Sequence, residues 1–121
     1  WGNEFDKEKC NTSESGIGDT SEIGEYTPKG GDSPYGLSDM AGNVWDWCSS
    51  RLTDEKGQVF KYPYDSSDGR EDIEAEGTRV VRGGSWRYDK YYATTTYRFH
   101  RNRTFRTFNV SFRIAISNTS K

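Results

Sequence analysis

Glycine breaks this chain thirteen times, so no apolar segment recurs at a helical period for long enough to make an extended helix. Gly16, Gly18, Gly24, Gly30, Gly31 and Gly36 punctuate residues 1 to 39, and Pro28 and Pro34 interrupt them further. This predicts an ordered loop, and a loop of that length in a compact domain needs an anchor. Trp1, Phe5, Tyr26 and Tyr35 are the candidates, or a bound cation. Aliphatic packing cannot supply the core, because only 31% of the 121 residues are hydrophobic against 30% charged. Four Trp, eight Tyr and six Phe supply the missing area, and they bring polar atoms that need partners. One domain with a modest aromatic core follows. No stretch is apolar enough to span a bilayer.

Strand signals appear in four places. In Gly42-Asn43-Val44-Trp45-Asp46-Trp47-Cys48, period two puts Val44, Asp46 and Cys48 on one face and Trp45 with Trp47 on the other, as a core wall. Residues 51 to 78 are polar and acidic and read as a surface excursion with little structural burden. Thr78 to Val81 form a short run closed by Gly83-Gly84-Ser85-Trp86, where glycine permits a tight turn before an aromatic enters the core. Thr94 to Phe99 is rich in β-branched and aromatic residues. Val110, Phe112, Ile114 and Ile116 alternate with Ser111, Arg113 and Ala115, which predicts a final half-buried strand.

The charge is divided. Residues 1 to 78 hold 7 basic and 18 acidic side chains, and residues 79 to 121 hold 10 and 1. Such segregation makes either an electrostatic face or a set of pairs and loop-holding arginines within one body. Cys10 and Cys48 fit no zinc spacing, and either a disulfide or two isolated thiols agrees with the sequence. The Asn-x-Ser/Thr triplets at Asn11, Asn109 and Asn118 are too easily reached by chance to carry an argument.

Five blocks in order, Trp1-Gly2-Asn3, Tyr35-Gly36-Leu37, Asp39-Met40-Ala41-Gly42-Asn43-Val44-Trp45-Asp46-Trp47, Arg82-Gly83-Gly84-Ser85-Trp86 and Phe112-Arg113, resemble the formylglycine-generating (sulfatase-modifying) family. The resemblance spans almost the whole chain. It implies an α+β, C-type-lectin-like fold, loop-rich with little regular secondary structure. Residues 1 to 121 would be the C-terminal part of one such domain, with its helical N-terminal portion missing and supplied by a separate segment or neighbouring chain. The enzymes of the family bind copper through two cysteines just after the Gly-Gly-Ser-aromatic block. Those positions hold Tyr88 and Ala93 here, and no cysteine follows Cys48. Relatives that use iron hold several histidines, whereas His100 stands alone. Neither copper nor iron is expected, and the chain reads as a non-enzyme.

The C-terminal part also resembles the variable proteins diversified by retroelements, whose variable stretch lies between a Gly-Gly-Ser-Trp block and a terminal Phe-Arg. Trp86, Tyr97-Arg98, Arg106 and Phe112-Arg113 match that framework, and its arginines are expected to be committed internally; Ser111 and Arg103 depart from it. The resemblance makes residues 87 to 109 the ligand-binding region, with Arg87, Tyr88, Asp89, Tyr91, Tyr92, Phe99, His100, Asn102, Phe105, Thr107, Phe108 and Asn109 as its contact residues. Each of these is reachable from an asparagine codon by changes at adenines. Tyr and Phe give rigid contact area and the polar members give adaptable hydrogen bonds. A plain reading stands beside this one: the aromatics simply fill a core. The family also implies structural Ca²⁺, with Asn43, Val44 and Asp46 as one oxygen set and Asn11, Thr12 and Asp19 as a weaker second.

The expected function is non-catalytic ligand binding, with a protein or cell-surface ligand and display on a surface or outside the cell. A fixed scaffold or adhesion module is one alternative. A basic, aromatic nucleic-acid face is the other, disfavoured because Arg98, Arg106 and Arg113 belong to the framework.

Overall fold

The computed structural model describes residues 1–116. Four strands form one mixed sheet: β1 (Trp45–Arg51), β2 (Thr78–Arg82), β3 (Phe99–Asn102) and β4 (Val110–Phe112), in the order β3-β2-β1-β4. β1 and β2 are antiparallel, as are β2 and β3, while β4 runs parallel to β1 with Trp45 opposite Val110. The helical content of the described residues is four short 3-10 turns, at Lys7–Lys9, Ser13–Ser15, Thr27–Lys29 and Lys90–Ala93.

The register sorts side chains by chemistry. Val81 stands opposite both Trp47 and Phe99, and Val80 opposite His100. Because side chains alternate, Trp45, Val81, Phe99 and Arg101 share one face of the sheet, and Asp46, Val80 and His100 the other. Of the two tryptophans expected to wall the core, Trp45 is 2% exposed and Trp47 half-buried.

Two strand expectations are corrected. Residues 94 to 98 turn out of the 3-10 turn before β3 begins at Phe99, held by a bond from Tyr97 N to Thr94 O. The final strand stops at Phe112; Val110 is half-buried, but the alternating apolar residues after it are exposed, Phe112 by 69% and Ile116 by 86%. β4 is an edge strand with no further element beside it among the described residues, so the alternation buries little beyond Val110.

Residues 1 to 39 form the expected loop, and Tyr26 is its only deeply buried aromatic; Trp1 and Tyr35 are exposed. Asn11 and Asn43 tie the loop to the sheet. Asn43 N donates to Asn11 O at 2.7 Å, and Trp86 N donates to Asn43 O at 2.9 Å. Asn43 adopts a positive φ of 62° to serve both partners. Gly42 is obligatory beside it, because a Cβ there would overlap the Asn11 carbonyl.

The connection from 51 to 78 carries more than expected. Arg51, Thr53 and Arg70 are buried, Arg70 to 2%. Arg70 donates to Asp68 and to Lys61 O at 2.7 Å, while Arg51 donates to Gly69 O at 2.9 Å and to Glu76 O. The Phe60 and Tyr64 rings stack on these guanidiniums. Arginine forks thus collect loop carbonyls where the composition offers few aliphatics. Ion pairs between the acidic and basic parts of the chain are few, Arg103 with Glu76 and Arg113 with Asp46 among the described residues. Most of the basic excess bonds carbonyls, stacks on rings or faces water.

Candidate functional site

Trp45 lies at the centre of an aromatic cluster. Its ring meets Tyr88 at 5.6 Å, Tyr92 at 6.3 Å, Tyr97 at 6.2 Å and Phe99 at 5.5 Å, and Tyr92 meets Tyr97 edge-on at 4.9 Å. Such edge and tilted contacts add to area burial. Gly84 is what lets the 88–97 segment close on the sheet, since it sits at φ 75° with a Cβ position 3.0 Å from the Ala93 backbone. Asp89 caps the 3-10 turn by accepting from Tyr91 N at 3.0 Å. From the N-terminal loop, Ser13 N donates to Tyr88 O at 3.0 Å, and Glu14 Oε1 accepts from Lys90 N at 3.0 Å. Burial works against ionised Glu14, but bonds from Lys90 N, Thr12 and Ser13 outweigh it and hold the carboxyl below its ordinary range.

Beside this cluster lies a cleft of about 100 Å³. Trp45, Val81, Phe99 and Val110 form its floor from the sheet, Arg101 enters from the same face, and Arg87, Tyr88, Phe105, Thr107 and Asn109 close it from the connecting segments. Six of the residues expected from sequence therefore meet at one cleft: Arg87, Tyr88, Phe99, Phe105, Thr107 and Asn109. Asn109 is a correction, since its side chain is buried, donating to Ser85 Oγ at 3.1 Å, and holds the loop instead of facing a ligand. Tyr88, Tyr92 and Phe99 are half-buried members of the Trp45 cluster; Tyr88 and Phe99 therefore bear structure as well as the cleft wall, and Tyr92 bears structure alone.

The remaining expected residues do not line the cleft. Tyr91 and Phe108 are exposed, Phe108 beside the cleft-lining Arg87 and stacked on Trp86 at 5.8 Å. His100 and Asn102 are exposed and alternate away from Phe99 and Arg101. Asn102 lines a separate polar groove with Asp54, Glu76 and Arg103. Sequence reasoning missed Arg101, although period two from Phe99 places it on the same face. Arg106 was expected to be committed; it is exposed, with no hydrogen bond or ion pair among the described residues. Arg113 is committed, to Asp46 at 2.5 Å and to the Ser38 and Asp39 carbonyls at 2.7 Å.

The residues proposed for Ca²⁺ do not fit the ion. Asn43 Oδ1 accepts from Ser21 N at 3.0 Å, its carbonyl accepts from Trp86, and the Asp46 carboxylate is held by the Arg113 guanidinium. A cation there would sit against a fixed positive charge. Burial raises the Asp46 carboxyl above its ordinary value despite Arg113. In the second set, Asn11 Oδ1 accepts from Ser15 Oγ at 2.8 Å, the Asn11 amide donates to the Asp19 carbonyl at 2.9 Å, and Thr12 Oγ1 donates to Glu14. These groups serve one another and form no cage of open oxygens. Buried Asn11 and Asn109 also make poor glycosylation acceptors, and Asn118 lies outside the described residues.

Both cysteines stand as free thiols. Burial, with Glu14 and Asp6 nearby, pushes Cys10 up to about 11, and burial raises Cys48 as well. At neutral pH both are protonated and poor nucleophiles. Where the resemblance puts the paired thiols of the enzymes, Tyr88 is packed on Trp45 and Ala93 against Gly84.

Residues 1–118 match the FGE-sulfatase family, described as the sulfatase-modifying factor enzyme 1-like domain. The chain belongs to the FGE-sulfatase family. Among curated relatives of this member, the serine/threonine-protein kinase pkn1 of Chlamydia pneumoniae is 34% identical over 71% of this chain and 12% of its own length. The formylglycine-generating enzyme of Streptomyces coelicolor is 37% identical over 63% of this chain and 21% of its own. The inactive C-alpha-formylglycine-generating enzyme 2 of Bos taurus is 28% identical over 71% and 25%. The chain thus spans a quarter or less of the length of these relatives. Among solved structures, Treponema denticola variable protein 1 superposes with a TM-score of 0.61 at 28% identity, over 88% of this chain and 35% of that one. The fold of this family member is accordingly C-type-lectin-like, and its relatives include enzymes, an inactive homologue and a variable protein.

Proposed function

We propose that this member of the FGE-sulfatase family acts by recognition and not by thiol chemistry, as a ligand-binding domain of the variable-protein kind. The observation that carries the reading is Tyr88, an aromatic wall packed on Trp45 at 5.6 Å at a position where the family's enzymes hold a thiol. Around it, exposed Arg87, Tyr91, Phe105 and Phe108 form a rim of aromatic and adaptable polar groups suited to contact. The ligand is a protein or cell-surface molecule met by a displayed or extracellular domain. Exposed Phe112 on the edge strand, with exposed Ile114 and Ile116 after it, supports a further segment or neighbouring chain that completes the fold.

A sulfatase-derived cysteine peptide incubated with the purified chain, copper, oxygen and a thiol reductant tests the catalytic half. The peptide thiol is expected to persist, and its conversion to an aldehyde overturns the proposal. The inactive relative from Bos taurus favours a second reading, a fixed scaffold without diversification. Related gene copies that differ mainly at adenines within the codons for 87 to 109 separate the two, because a fixed scaffold has no reason to concentrate its changes there.

A further inference from the structure

Resting on the reading of the cleft as a contact site, we infer that it receives a carboxylate on a short apolar stem, presented by an acidic side chain of a protein partner. Arg87 and Arg101 both line the cleft. Neither has a carboxylate partner among the described residues, whose ion pairs are made by Lys9, Arg51, Arg70, Arg103 and Arg113. Among the described residues, the one hydrogen bond of the Arg101 guanidinium goes to the carbonyl of its neighbour His100, at 3.0 Å. Arg87 there makes a ring contact alone, 5.8 Å from the Phe108 centroid. Buried Arg51, Arg70 and Arg79 instead spend their forks on carbonyls or carboxylates of the chain itself.

The rings prepare these two cations for an anion. Arg101 lies over Phe99 at 4.0 Å and over Phe105 at 4.9 Å. Stacking occupies the faces of a guanidinium and leaves its N–H edge free, the edge that grips a carboxylate in a fork. Trp45, Tyr88, Phe99 and Phe105 wall the space, which favours methylenes behind the charged group. At about 100 Å³ the cleft falls well short of the roughly 300–1,000 Å³ that enclose a whole small molecule. It fits one side-chain-sized group. A nucleic-acid strand needs a cationic track with successive stacking platforms, and a single cleft offers one.

The test uses the intact chain and its tryptophan fluorescence, to which Trp45 in the cleft floor contributes, with three probes: acetylated tetraglutamate, its tetraglutamine twin and an oligothymidylate. Tetraglutamate is expected to quench the signal and to bind about tenfold or more tightly than tetraglutamine, the worth of one charge-assisted hydrogen bond. Arg87→Gln and Arg101→Lys are each expected to weaken tetraglutamate by about tenfold with an unchanged melting temperature. Lys56→Gln, on an exposed turn away from the cleft, leaves it unchanged. Equal binding of the two peptides, binding of neither, or unchanged affinity in both arginine variants overturns the assignment. Tighter binding of oligothymidylate overturns it in favour of nucleic acid. Aldehyde formation in the peptide assay removes the recognition reading itself, whereas a failure of tetraglutamate without aldehyde removes only the carboxylate.

Discussion

Trp45 touches four rings at once, which makes it the residue where fold and site meet. Trp45→Ala is expected to cost about 3–5 kcal/mol, read as a lower urea midpoint; a midpoint within error of the parent contradicts the cluster's role. Gly84→Ala forces a side chain into a left-handed φ of 75° against the Ala93 backbone. It should destabilise by more than about 1 kcal/mol, whereas the same change at Gly36, where a Cβ meets nothing within 4 Å, costs only the backbone strain. Cys10, pushed up to about 11, is expected to react with iodoacetamide far more slowly at pH 8 than a free thiol, whose pKa is about 8.5. Two asparagines serve the fold in ways that sequence order does not show. Asn43, whose backbone oxygen was expected to serve a cation, gives that carbonyl to Trp86 N and its side-chain oxygen to Ser21 N, while the buried Asn109 amide is spent on the Ser85 hydroxyl.

Between elements, Glu14 fastens the N-terminal loop to the first turn of Lys90–Ala93. Its folded pKa lies below the value of about 4.3 expected when unfolded. The clasp is therefore fully present above about pH 4.3 and is lost as pH falls through the lowered folded value. Protection of the Lys90 amide, taken relative to its intrinsic exchange rate, should fall over that acid range, and in Glu14→Ala, which removes the acceptor, it should be lost already at neutral pH. Slow exchange at Lys90 in that variant contradicts the clasp. β1, β2 and the Gly-Gly-Ser-Trp turn were legible because apolar periodicity and glycine mark them locally. The start of β3 was not, since Thr94 to Arg98 have strand propensity while Gly84 and Asp89 impose a turn on the segment before them. Nor was the weight borne by residues 51 to 78: an arginine in an acidic stretch reads as solvated until Phe60, Tyr64 and loop carbonyls are seen around it.

For the whole molecule, the motifs carried the family and the fold, because ordered blocks across the chain hold the turns that shape a loop-rich body. The candidate site was legible as a region and only partly as residues. Sequence order cannot tell Phe105 at a cleft margin from Asn109 behind it, and alternation turns His100 and Asn102 away from Phe99. Exposed Phe112, Ile114 and Ile116 predict that the isolated chain associates with rising concentration, measured by light scattering. Phe112→Lys with Ile114→Lys should reduce that association, and an unchanged monomer at all concentrations contradicts an unfinished edge. The most direct test of a scaffold that carries a replaceable contact surface is a displayed library randomised at Arg87, Tyr91, Phe105 and Phe108, scored by resistance to protease. Most members are expected to match the parent, while a matched library at Trp45 and Tyr92 loses resistance. Equal loss in both libraries would mean that the rim is core, and recognition through it would be excluded.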